Sequence, residues 1–184
     1  MIPPTPPRAP RRSVLLRILV ALVAAAPLAA CGPAPVPTPT PKAAFASEEE
    51  AFAAAEETLQ RYTDATNATD LQDPGSFSSV YEWLVHDALS SARKNYSQLY
   101  GAGITRVGAS AFDTFRPVSY ATPNVVARVC LDVSGVKLSN ADGSSAVPDD
   151  RPPRQPTEVR FEETDTETLL AISSITSTAA IQCD

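Results

Sequence analysis

The chain has 184 residues, of which 20% are charged and 43% hydrophobic, and this length suits one folded domain. Its first 31 residues contain 4 of the 15 basic residues and none of the 21 acidic ones, so the remainder carries a net charge of 11 − 21 = −10. A protein with that charge is repelled by phosphate backbones and anionic lipid headgroups, which argues against nucleic acid as a partner.

Residues 1–30 have the pattern of a signal peptide. A short apolar run, residues 18–28, follows four arginines: Arg8, Arg11, Arg12 and Arg17. The run is well under the roughly 20 residues of a spanning helix, so it predicts a processed leader rather than a membrane span. Arg11-Arg12 also resembles a twin-arginine export motif. The export route, general secretory or twin-arginine, stays open.

Leu28-Ala29-Ala30-Cys31 resembles the bacterial lipobox. In that motif small residues precede a cysteine that receives a diacylglyceryl group and becomes the new N-terminus after cleavage. The resemblance implies signal-peptidase recognition at Leu28, Ala29 and Ala30 and lipidation, including palmitate, at Cys31. We therefore expect a protein anchored by lipid to the extracytoplasmic face of the cell membrane. The alternative is an ordinary secretory leader that is cut nearby and leaves a free thiol.

Residues 31–44 form a proline-rich tether. Every second residue from Pro33 to Pro41 is proline, a pattern that excludes helix and favours extended polyproline at about 3.1 Å per residue. Ten such residues span roughly 30 Å, enough to hold a domain clear of the headgroups. A docking ligand for a polyproline-binding partner is the alternative.

Three helices are predicted in the first part of the 45–184 domain. Ser47 and Glu50 form a capping box, and apolar residues at spacings of three and four then continue to about Asn67. Asp73-Pro74 begins a second, shorter helix because proline suits a first helical turn. A third begins near Asp87 and ends at the glycines of 101–103.

The pattern changes to alternation after Gly103 and predicts four strands. They are a long run from Ile104 to Tyr120, the segment 125–133 after a turn at Thr122-Pro123-Asn124, a strand around Val159–Phe161, and the segment 169–178. Residues 140–156 are rich in Asp, Ser, Gly and Pro and are predicted to form a loop.

Two cysteines remain if Cys31 is lipidated, namely Cys130 and Cys183. An even number in an exported protein favours a disulfide, and a loop of about 50 residues makes that bond worth about 4 kcal/mol in the chain-entropy model. The alternative is a pair of buried, reduced cysteines that act as small hydrophobic residues.

Three helices followed by an antiparallel meander predict an α+β fold, with the helices packed on a curved four-stranded antiparallel sheet. The layout resembles the NTF2-like (cystatin-like α+β roll) superfamily, and lipoproteins of that shape from high-GC Gram-positive bacteria in particular. The residues that carry the resemblance over about 45–183 are the Phe52–Tyr62 helix face, Val80-Tyr81-Glu82-Trp83, Arg93, Val129-Cys130-Leu131-Asp132-Val133 and Asp149-Asp150-Arg151-Pro152.

The resemblance implies a pocket between sheet and helices, which relatives use for isomerisation, cyclisation or ligand binding. An isomerase needs a carboxylate base and a phenol or protonated acid; the candidates are Asp113, Asp132, Tyr62, Tyr81 and Tyr96. Strand alternation directs Asp132 away from the apolar face. Asp113 is interpreted as a solvated or turn residue, and the tyrosines as packing residues with solvated hydroxyls.

No cofactor or metal site is predicted. His86 is the single histidine and is interpreted as a surface or capping residue, since one histidine and two paired cysteines make no zinc set. The leading hypothesis is therefore a lipid-anchored envelope protein whose domain binds a partner protein or a small ligand. The alternatives are a pocket enzyme of the isomerase or cyclase type and a purely structural envelope component. A filled interior favours an interaction module, whereas an open apolar pocket with an inward carboxylate favours ligand binding or catalysis.

Overall fold

The computed structural model describes residues 43–184. The predicted signal peptide, the lipidation site at Cys31 and all but the last residues of the tether lie outside the described residues, so these assignments and the domain boundaries stay predictions. Within residues 43–184, no helix combines the length and the apolar character needed to cross a membrane.

The first helix, α1, spans Glu48–Ala68, as the capping box predicts. The Glu50 amide donates to Ser47 Oγ at 3.1 Å, and the Ala46 amide donates to the Glu50 carboxylate at 2.8 Å. These bonds satisfy amide groups that have no partner within the helix. The face of α1 toward the sheet is lined by small and branched residues, including Ala51, Ala55 and Leu59.

Two further helical segments complete the helical layer. A 3-10 turn at Pro74–Phe77 leads into α2, Ser78–Tyr81, and α3 spans His86–Gly101. The Asp73 carboxylate accepts from the Gly75 amide at 2.9 Å, which explains why the second segment begins there. His86 does not cap α3: it lies at the surface with its Nε2 3.1 Å from Glu162 Oε2.

The main sheet is an antiparallel meander with the strand order β2-β3-β5-β6. Its strands are β2 Ala111–Ala121, β3 Asn124–Asp132, β5 Arg154–Glu163 and β6 Leu170–Ser177. Register shifts interrupt the β2–β3 and β5–β6 pairings, and such bulges bend and twist a sheet. The predicted α+β roll, three helices on a four-stranded antiparallel sheet, is confirmed.

The single long strand predicted from Ile104 to Tyr120 is wrong, because two strands occupy this run. β1, Thr105–Val107, leaves the main sheet and pairs with β4, Lys137–Ser139, a strand that alternation did not reveal. Gly108 makes the break: its φ is +83°, and a Cβ there would lie 1.9 Å from the Gly135 carbonyl oxygen. The predicted loop 140–156 also ends early, since β5 begins at Arg154.

The two faces of the main sheet have different roles. Val125, Ala127 and Val129 of β3 point into the core beneath the helices, so the alternate residues Arg128 and Cys130 lie on the outer face. Cys130 is bonded to Cys183, with Cα atoms 5.6 Å apart, which confirms the predicted disulfide. The segment after β6 thereby returns to the sheet, and Ile181 within it is only 6% exposed.

Candidate functional site

A cavity of about 330 Å³ lies between the helices and the inner face of the sheet. The interior of the roll is therefore not filled by side chains. Its wall is mainly aliphatic and is contributed by α1, α3, the strands β1 to β6 and the segments between them. The apolar lining includes Leu59, Leu71, Leu99, Phe112, Val129, Leu131, Leu138, Val159 and Ile175.

One part of the wall is polar and consists of Tyr62, Thr66, Tyr96 and Arg106, which we call the donor cluster. Tyr62 and Thr66 are four residues apart on α1, so they lie one above the other on the same helix face. Tyr96 comes from α3. Arg106 comes from β1, whose departure from the main sheet brings the strand beside the end of α1.

Burial raises the pKa of both Tyr62 and Tyr96 above the usual value for tyrosine. The Thr66 hydroxyl beside the two phenols, and for Tyr96 also the charge of Arg106, offset part of this rise. Both phenols are thus neutral at physiological pH and able to donate a hydrogen bond. Thr66 Oγ1 is buried, and within residues 43–184 it has no hydrogen-bond partner.

Arg106 has a structural role as well as a place in the wall. Its Nη2 donates to the carbonyl oxygens of Asn67 at 3.0 Å and of Thr69 at 2.7 Å. These carbonyls lie at the C-terminal end of α1, where a cation is favoured by the helix dipole. The guanidinium is therefore fixed in position. It is the one charged side chain among the described residues that line the cavity.

Neither carboxylate candidate lines the cavity. Asp113 is held in β2 by Arg154, whose Nη2 lies 2.6 Å from Asp113 Oδ2, so this residue is ion-paired rather than simply solvated. Asp132 accepts from the Ser134 amide at 2.8 Å, and the Ser134 hydroxyl and amide lower the pKa of its carboxyl. The base that isomerase chemistry requires is therefore missing from the described wall of the cavity.

The three tyrosine candidates separate into two environments. Tyr62 and Tyr96 line the cavity, whereas Tyr81 does not. Tyr81 packs edge-on against Tyr96 and Phe77, and Arg93 lies 5.6 Å from its ring centre. Tyr81 is accordingly a packing residue at the edge of the helical layer.

A second cleft of about 480 Å³ lies between α3 and β6. It shares Tyr62, Asn95 and Ile175 with the cavity, so these three side chains form the boundary between the two spaces. Ile175 is part of the edge strand of the sheet and is exposed.

Thr66 and Arg106 were missed by the sequence analysis. Thr66 could have been found, because it follows Tyr62 at helical spacing. Arg106 could not have been found, because a β-prone run does not predict which residues the side chain at position 106 contacts. No group of three or more His, Cys, Asp or Glu side chains within residues 43–184 is arranged to hold a metal ion.

No protein-family profile matches the chain, and no curated protein matches it significantly. Several solved structures are similar in overall shape. The intermembrane space region of the chloroplast protein ARC6 is 12% identical with a TM-score of 0.49, over 68% of this chain and 95% of that one. Aln2 from a Streptomyces species is 13% identical with a TM-score of 0.43, over 70% of this chain and 90% of that one.

The VirB8 protein of Agrobacterium tumefaciens is 12% identical with a TM-score of 0.39, over 75% of this chain and 98% of that one. At such identities and TM-scores these proteins assign neither a family nor an activity to this chain.

Proposed function

We propose that this protein is a lipid-anchored protein of the extracytoplasmic membrane face whose domain binds a small, largely apolar molecule in the cavity of the roll. The observation that carries the binding function is the 330 Å³ space itself, whose wall is mainly aliphatic and includes the donor cluster. Ligand sites in proteins have this composition and volumes of roughly 300–1,000 Å³. At about 30 Å³ per water, the cavity would hold about eleven waters, the space of a one-ring or two-ring compound.

The open interior favours ligand binding over a pure interaction module. The lack of an inward carboxylate in the described wall favours binding over isomerase or cyclase chemistry, because both need a base at the reacting carbon. Filling an apolar cavity of this size with a ligand is favourable, because the side chains that line it lack van der Waals contacts on the side that faces the cavity.

The binding function is tested with naphthalene as a neutral probe, followed by calorimetry and by the amide NMR spectrum of residues 43–184 within the full mature chain. We expect saturable binding, with shifts at Leu59, Val129 and Val159. Leu131→Trp fills the cavity and should abolish binding, whereas the control Val118→Trp, at an exposed position, should not. Absence of saturable binding in the wild type would overturn the proposal.

The anchor is supported by the sequence alone, through Leu28-Ala29-Ala30-Cys31. Because the mature charge of −10 disfavours anionic headgroups, membrane attachment rests on the lipid, and stable attachment needs more than one acyl chain. Cys31→Ala should release the protein into the medium or block its processing, as checked by membrane fractionation and palmitate labelling. Unchanged membrane retention of this variant would refute the anchor.

A further inference from the structure

The donor cluster combines the Arg106 guanidinium with the neutral hydroxyls of Tyr62, Thr66 and Tyr96. Thr66 Oγ1 is buried and has no hydrogen-bond partner among the described residues. Buried polar groups in native structures are almost always paired, so this unpaired hydroxyl requires an explanation. The group that would satisfy these donors together is an oxygen that accepts hydrogen bonds.

The positive charge of Arg106 beside these hydroxyls indicates which chemical group would supply the accepting oxygen. Four of the described arginines, Arg61, Arg128, Arg154 and Arg160, form ion pairs with carboxylates. Arg106 forms none with any described residue, and its two hydrogen bonds to carbonyl oxygens both use Nη2. One guanidinium balances one negative charge, and a guanidinium fits a carboxylate in particular, because its donors match the two oxygens.

We propose that the ligand of this cavity is a small organic monocarboxylic acid, with its apolar body against the aliphatic wall and its carboxylate at Arg106, Tyr96 and Thr66. This inference rests on the proposed function and specifies its ligand class. An ionised carboxylate can only accept hydrogen bonds, and the neutral phenol of Tyr96 can donate one to it. The net negative charge of the protein does not prevent this, since surface charges more than about 8 Å away are screened at physiological ionic strength.

The test compares acids with amides of the same shape: naphthoate with naphthamide, and octanoate with octanamide. Calorimetry on the mature wild-type protein should show the acids bound roughly tenfold to hundredfold more tightly, as charge-assisted hydrogen bonds require. Arg106→Gln should remove this preference, so that an acid and its amide bind with equal affinity.

Arg151 provides a matched control for Arg106. Its Nη2 also donates to two carbonyl oxygens, of Val133 at 3.1 Å and of Val136 at 2.7 Å, and it does not line the cavity. Arg151→Gln should retain the preference for acids. If Arg106→Gln does not fold, Tyr96→Phe and Thr66→Val, which each remove only a hydroxyl contribution, should reduce the preference severalfold.

The outcomes are distinct. Equal affinity for acid and amide in the wild type overturns the assignment of the ligand class and leaves the binding function standing. A preference for acids that survives Arg106→Gln, or survives both hydroxyl variants, overturns its assignment to the donor cluster. If naphthalene, acids and amides all fail to bind, the proposed function itself is wrong, and this inference falls with it.

Discussion

Polar side chains on the outer face of the main sheet are hydrogen-bonded to one another, whereas those around the cavity on its inner side are not all paired. On the outer face Glu158 accepts from Arg128 at 3.1 Å and from Arg160 at 2.7 Å, and Asp113 pairs with Arg154. Apart from Arg154 Nε, which is buried without a partner, these groups satisfy one another. On the inner side, across the cavity from the sheet, Thr66 Oγ1 of α1 is buried and has no hydrogen-bond partner among the described residues.

Because of this difference, we expect the outer-face groups to contribute to stability and the groups around the cavity to contribute to ligand binding. Polar groups that pair within the fold contribute to its free energy of unfolding, whereas unpaired donors around a cavity reduce it unless a ligand is present. Variants of the outer face should therefore lower stability without changing ligand affinity. Thr66→Val, which removes an unpaired hydroxyl of the donor cluster, should change ligand affinity without lowering stability.

The largest expected effect is loss of the disulfide on the outer face. Replacing both Cys130 and Cys183 by alanine should lower the free energy of unfolding by about 4 kcal/mol, since the bond joins residues 53 apart in sequence. Urea unfolding measures this, and naphthalene affinity in native conditions should stay unchanged. A loss of affinity together with stability would show that the two faces are coupled.

The next effect concerns Glu158, whose side chain is 15% exposed between two arginines. Glu158→Gln should destabilise the protein by about 1–2 kcal/mol, because it weakens two charge-assisted hydrogen bonds. Glu57→Gln is the control: its pair with Arg61 is exposed and should cost less than about 0.5 kcal/mol. Equal urea midpoints for the two variants would argue against a stabilising role of the outer network.

The same Thr→Val substitution at two positions of α1 compares a hydrogen-bonded hydroxyl with an unpaired one. Thr58 is fully buried and hydrogen-bonded to Ala54 O at 2.7 Å and to Thr168 Oγ1 at 2.6 Å, so Thr58→Val should cost about 1–2 kcal/mol. Thr66→Val removes an unpaired hydroxyl and should be neutral or stabilise by up to about 1 kcal/mol. Denaturant unfolding of both variants gives the difference, and a larger loss for Thr66→Val would contradict the unpaired state of its hydroxyl.

The smallest effect is a pH dependence at Asp132. Its folded pKa is lowered below 3.8 by the Ser134 hydroxyl and amide, so its contribution to stability is present above the unfolded pKa and lost as the pH falls through the folded pKa. Asp132→Asn should therefore reduce stability at pH about 7, and this reduction should diminish as the pH falls through the folded pKa of Asp132. Ser134→Ala should have an effect of the same direction and smaller size, as measured by urea unfolding over the same pH range.

The features that were predicted correctly are those that a short stretch of sequence or a residue count specifies. The Ser47–Glu50 cap, the alternation of β3 and the pairing of Cys130 with Cys183 each depend on a short pattern or on a count of residues. The break at Gly108 was missed because it depends on the approach of Gly135, which is distant in the chain. The ion pair of Asp113 with Arg154 likewise joins residues 41 positions apart.

The cavity could be expected only from the resemblance to the roll superfamily, and its polar residues could be expected only in part. A cavity is the space that remains where side chains from different elements do not meet, and no short residue pattern predicts it. Tyr62 and Tyr96 were identified as residue types suited to a pocket, but the position of Arg106 depends on the pairing of β1 with β4.

The bond between Cys130 and Cys183 has a consequence for the order of assembly. Cys183 follows all four strands of the main sheet in the chain, so the bond closes only after every one of those strands has been synthesised. Until then Cys130 is an unpaired thiol in a chain that also contains Cys31. If Cys31 is acylated as proposed, the one competing thiol is removed, and the proposed anchoring modification would thereby also protect the correct pairing.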